Sequence, residues 1–121
     1  MLEEDVALFL RRWIKSVWAL EVLLYLRNKG GEAETAEDLV RLLRSSPVIV
    51  QEVLATLAAA RLVAEPTKGS YLFRPATREL AALVEKLADT YQDFPVAVIQ
   101  AIYSQASEIE KFANAFRLRK D

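Results

Sequence analysis

Between residues 62 and 75 the apolar pattern of this chain changes period once, and that change limits the folds open to it. On either side, apolar residues recur every three to four positions, the spacing of amphipathic helices. Inside it, Leu62-Val-Ala-Glu-Pro66 and Tyr71-Leu-Phe-Arg-Pro75 flank Thr67-Lys-Gly-Ser70, the pattern of a short β-hairpin. A single hairpin set into helical sequence predicts a mostly α fold with one small antiparallel element.

The helical stretches carry their own start and stop signals. Leu2 to Lys15 places Leu2, Val6, Phe9, Leu10, Trp13 and Ile14 on one stripe, with Glu3, Glu4 and Asp5 early and Arg11, Arg12 and Lys15 late, the order that suits the helix dipole. It is read as a short helix that can run on into the next. Ser16 caps Val17 to about Asn28, a helix apolar nearly all round and therefore central, stopped by Gly30-Gly31. Thr35-Ala-Glu-Asp38 approximates a capping box and opens Ala36 to Arg44, with Leu39, Leu42 and Leu43 inward. Ser46-Pro47 is a cap followed by proline at the first helical position, and the helix it opens runs to about Arg61. Thr77 caps a helix to about Asp93, with Leu80, Val84, Leu87 and Tyr91 on one side. Pro95 starts the last helical region, whose apolar stripe runs through Ile99, Ile102, Tyr103, Ile109, Phe112 and Phe116. Ser107-Glu-Ile-Glu110 is a second capping box and predicts a break near Ser104 to Ser107.

Composition closes off much chemistry. The 121 residues are 53% hydrophobic with three glycines and four prolines, which predicts one folded domain over 1–121 and argues against disorder. There is no histidine and no cysteine, so thiolate nucleophiles, disulfides, Cys/His zinc sites and imidazole acid–base devices are excluded. Glu37-Asp38 and the pair Glu108 and Glu110 sit at helix starts, where capping and the dipole explain them. Gly30-Gly31 lacks the pattern of a phosphate loop. A non-catalytic protein without metal or cofactor is expected. No stretch reaches the roughly 18 uncharged apolar residues of a membrane span, and Met1-Leu-Glu-Glu-Asp5 opens with acids where a secretory signal opens with bases. The cytoplasm is the expected compartment.

Three helices followed directly by a hairpin form the pattern of a winged helix-turn-helix, here over 16–75, with 2–15 and 77–119 as flanking helices. The segment Ala36 to Val63 resembles the MarR-type family of bacterial transcription regulators. Its Leu-x-x-x-Leu helix is matched by Leu39 and Leu43 and its turn residue by Ser46. The Val-x-x-x-Leu-x-x-Leu helix is matched by Val50, Leu54 and Leu57, and the entry to the wing by Leu62-Val63. Arg61 stands where that family usually has glycine. The resemblance implies that the helix from Pro47 enters a DNA major groove. It also implies that terminal helices build a homodimer, through Phe9, Trp13, Ile102, Ile109, Phe112 and Phe116.

The residues of that helix allow two functions. Val50, Val53, Leu54 and Leu57 share the face that must be core, leaving Val48, Gln51, Glu52, Ala55 and Ala59 opposite, with Ile49 and Thr56 at the edges. As a DNA reader, the chain would meet bases with Gln51, Glu52 and Thr56 and hold phosphates with Arg41, Arg44, Lys68 and Arg74. As a protein-interaction module, it would contact a partner through Val48, Ile49, Gln51 and Ala55, an apolar strip with few charges. Charge counts against the DNA reading: Pro47 to Ala60 holds one charged residue, the acid Glu52, residues 16–75 hold seven bases and seven acids, and the whole chain sixteen and seventeen.

Overall fold

The computed structural model describes residues 2–105. The chain begins with α1, Glu4–Trp13, which is shorter than the expected 2–15 and does not continue into the next helix. The Ile14 N–H still donates to the Leu10 carbonyl at 2.9 Å, but its own backbone has left the helix at φ −108° and ψ 88°. Ser16 is extended and its Oγ accepts from the Ala19 N–H at 3.1 Å, so α2, Val17–Asn28, starts afresh in a new direction. Ala19, Leu20, Val22, Leu23 and Leu26 of α2 are buried, which makes it the central helix that its sequence predicts. Gly30, at φ 67°, ends it.

A two-residue strand follows that the sequence does not announce. This β1, Glu34–Thr35, pairs antiparallel with the second hairpin strand, Glu34 opposite Tyr71 and Thr35 opposite Ser70. Its side-chain anchor is Glu34, whose carboxylate accepts from the Tyr25 hydroxyl and pairs with the Lys29 ammonium, both at 3.1 Å. Thr35 also caps α3, Ala36–Leu43, its Oγ1 accepting from the Asp38 N–H at 3.0 Å. Ser46 caps α4, Pro47–Ala59, in the same way through the Ile49 N–H at 3.2 Å. The directions of α3 and α4 differ by 117° across this turn.

Strands β2, Val63–Thr67, and β3, Ser70–Phe73, form the expected hairpin, with Lys68-Gly69 at its tip and Gly69 at φ 84°. The sheet order is β1-β3-β2, antiparallel throughout, with a register irregularity between Ala64 and Thr67. Helix α5, Arg78–Asp93, is capped by Thr77, and a further helical run covers 95–105. The fold is thus mostly helical with a small three-stranded antiparallel sheet. Among the described residues no single helix is long and apolar enough to cross a membrane.

One core joins these elements. Leu20, Leu23 and Leu26 of α2 meet Leu39 of α3, Leu54 and Leu57 of α4 and Leu62, all buried to within 1% of their surface. Each such leucine contributes about 2 kcal/mol through removal from water. Val6, Phe9 and Leu10 of α1, Val84 and Leu87 of α5, and Val98 and Ile102 of the 95–105 run belong to the same cluster. This corrects two of the expected dimer contacts. Phe9 and Ile102 keep only 4% and 2% of their surface, because α1 and the 95–105 run fold back over α2 and α5 and use their apolar stripes within the chain. Trp13 is half-buried against that core. Ile109, Phe112 and Phe116, with the second capping box, lie outside the described residues.

Candidate nucleic-acid interface

Helix α4 is held by its inner side and open on its outer side. Val50, Val53, Leu54 and Leu57 are buried, and successive residues 100° apart place Val48, Glu52, Ala55 and Ala59 opposite them. All four are exposed, Val48 at 66%. Gln51 is exposed at one margin, and Ile49 and Thr56 are partly covered at the other. The structure therefore brings Val48, Gln51, Glu52 and Ala55 onto one continuous surface, as the sequence predicts. Ile49 instead packs against the core. Thr56 donates its hydroxyl to the Glu52 carbonyl at 3.1 Å, turning its hydrogen-bonding capacity back on its own helix.

Two grooves border this surface. On the Gln51 side, Ala36, Glu37, Val40 and Pro47 join Gln51 around a space of about 150 Å³ between α3 and α4. On the Glu52 side, Trp13, Lys15, Ser16 and Ala19 join Glu52, Val53 and Thr56 around about 210 Å³, where the α1–α2 junction meets α4. Arg44 opens elsewhere. It lines a space of about 500 Å³ with Val17, Trp18, Glu21, Leu42, Leu43 and Tyr103, apart from the residues that border the α4 surface.

The expected phosphate ligands differ in how free they are. Arg41 is exposed and ion-paired with Asp38, one turn earlier on α3. Lys68 is exposed at the hairpin tip and Arg74 at its base, and neither joins an ion pair among the described residues. Glu65 sits on the hairpin as well, its carboxylate accepting from the Gly69 N–H at 2.8 Å, so the tip is not purely basic.

The sequence reading missed the basic end of α1. Arg11, Arg12 and Lys15 are all exposed, and Lys15 borders the same groove as Glu52 and Thr56. Arg12 lies 5.5 Å over the Trp13 ring, and the Lys15 ammonium donates to the Arg11 carbonyl at the end of the helix. Along the chain these three bases serve only the helix dipole. The nearness of Lys15 to α4 depends on the break at Ile14 and the buried seat of that residue, which Lys15-Ser16 signals only weakly. Among the described residues no group of three or more acidic side chains is placed to hold a metal ion. No protein-family model matches this chain, and no curated protein or solved structure matches it either.

Proposed function

We propose that this chain is a non-catalytic winged helix-turn-helix protein that binds duplex DNA as a homodimer, a bacterial cytoplasmic regulator similar to the MarR type. The observation that carries the reading is the 117° change of direction between α3 and α4 across a three-residue turn, Arg44 to Ser46. Two helices at about 90–120° joined by so short a turn form the DNA-reading motif. The hairpin that follows α4, paired on its far side by β1, serves as the wing. In this arrangement α4 enters the major groove with Gln51 and Glu52 toward bases. Gln51 suits adenine and Glu52 suits the cytosine amino group. Arg41, Lys68 and Arg74 hold phosphates on either side, and Arg44 is the least favourably placed of the expected set.

Binding of a labelled pool of genomic duplex fragments at low salt, followed by fluorescence anisotropy, tests the reading. Arg41→Ala with Lys68→Ala is expected to weaken binding and to lower the salt slope by about one per lost contact. No binding at low salt overturns the proposal.

A second reading draws on a specific observation: the outer surface of α4 holds an exposed Val48 and no base at all. On that reading the surface contacts a protein through Val48, Gln51 and Ala55, with Ile49 at its edge, and Val48→Asp would abolish capture of the partner without disturbing the fold.

A further inference from the structure

Charge is segregated along α1. At its first turn, Glu3 and Asp5 both bind the Lys86 ammonium of α5, at 2.6 and 2.8 Å. About two turns on, roughly 10 Å along the axis, its last turn carries Arg11 and Arg12, with Lys15 just beyond. None of these three joins an ion pair among the described residues. Two of the three acids at the start of α1, Glu3 and Asp5, are thus tied down, while its bases are left to solvent at the other end. Ile14, buried without measurable exposure, fixes that basic end against the body of the protein. Lys15 and Trp13 then border the groove whose other wall is Glu52, Val53 and Thr56 of α4.

This matters because α4 brings no positive charge of its own. A helix seated in a major groove has a phosphate backbone on each side, and affinity rests largely on neutralising those phosphates. On the Gln51 side, Glu37 is part of the wall and Arg41 is shared with Asp38. On the Glu52 side, the one charged residue outside α4 that lines the groove is basic, Lys15.

We infer that Arg11, Arg12 and Lys15 form a second, α1-borne phosphate clamp, gripping the DNA strand that runs along the Glu52 side of α4. The inference rests on the duplex-binding reading and adds to it residues from outside the helix-turn-helix and the hairpin. Trp13 gives the clamp a seat, since the Arg12 guanidinium lies 5.5 Å over its ring. The contact is to backbone, so it strengthens binding without choosing a sequence.

The test is the salt dependence of binding to a fluorescein-labelled duplex of about 20 base pairs, sampled over several unrelated sequences. The variant Arg11→Gln/Arg12→Gln/Lys15→Gln is compared with wild type, after far-UV circular dichroism shows equal helix content. The expected result is a salt slope lower by roughly two to three for each subunit that contacts the duplex, about five for the homodimer, on every sequence alike. A second variant, Arg11→Lys/Arg12→Lys, keeps the charge and is expected to keep the slope. If wild type binds the duplex and the glutamine variant keeps the wild-type slope, the clamp is overturned while duplex binding stands. If wild type fails to bind any duplex at low salt, both fall together.

Discussion

Arg44 and Arg61 hold equivalent places at the ends of successive helices, both in the left-handed backbone region, with φ 54° and 63°. At the first, the Ser45 N–H donates to the Val40 carbonyl at 3.0 Å and the Arg44 N–H to the Arg41 carbonyl at 3.4 Å. At the second, Leu62 donates to Leu57 and Arg61 to Ala58, each at 3.0 Å. These are paired closures of a helix end that glycine usually makes. Each one lets the chain reverse direction at once, from α3 into α4 and from α4 into β2. The orientation of α4 is fixed between them.

Replacing Arg61 by glycine should therefore stabilise the protein. The left-handed conformation costs a side-chain-bearing residue about 1–2 kcal/mol, and the extra freedom of glycine in the unfolded chain takes back about half of that. Arg61→Gly is expected to raise stability by about 0.5–1 kcal/mol, read as a higher urea midpoint at constant slope. A lower midpoint would show that the arginine side chain contributes more than its backbone costs.

The inner side of α4 should matter far more than its cap. Leu57 has no exposed surface and meets the centre of the core, so Leu57→Ala is expected to cost about 3 kcal/mol. Ser46→Ala removes one hydrogen bond at the helix start and is expected to cost about 1 kcal/mol. Comparable losses in equilibrium unfolding would contradict the packing described for α4.

Acid should loosen the attachment of α5. Lys86, by hydrogen bonding, holds the Asp5 carboxyl below its usual range, and Arg27 does the same for Glu85 through contacts of 2.6 and 2.7 Å. A carboxyl with a lowered folded-state pKa binds fewer protons folded than unfolded, so its contribution is complete above the ordinary carboxylate range and is lost as pH falls through the folded value. Unfolding midpoints of wild type are expected to drop below about pH 4.5. The drop should be shallower in Arg27→Met/Lys86→Met, which lacks both cations. Parallel curves for the two proteins would contradict these pairings.

Self-association should be visible in sedimentation equilibrium. The homodimer predicts a species of twice the chain mass at micromolar concentration. It draws support from Val96 and Tyr103, which remain 64% and 63% exposed on the 95–105 run. A single species at the chain mass across that range would contradict it.

Helices α2 to α5 were legible because each begins with a side chain that caps it, whereas α1, whose first turn has no side-chain cap, was legible only from its apolar stripe. Ser16, Thr35, Ser46 and Thr77 all accept the hydrogen bond that their positions predict. The hairpin was legible from its change of period. Strand β1 was not, because two residues, Glu34 and Thr35, carry no alternation, and their pairing depends on a partner 35 or more positions away. Two of the expected dimer contacts were overread for a related reason: an apolar stripe says that a helix face is covered, not whether the cover is the same chain, and Phe9 and Ile102 are covered from within. For the site, the outer surface of α4 followed from its own periodicity, whereas the nearness of Lys15 to Glu52 is a tertiary fact.

The most direct measurement is photo-crosslinking from the centre of the α4 surface. A photoreactive amino acid placed at Val48, the large exposed hydrophobic residue of that helix, reports what lies against it in living cells. Duplex binding through α4 predicts a nuclease-sensitive adduct with DNA. An adduct with protein alone, unaffected by nuclease, would contradict it.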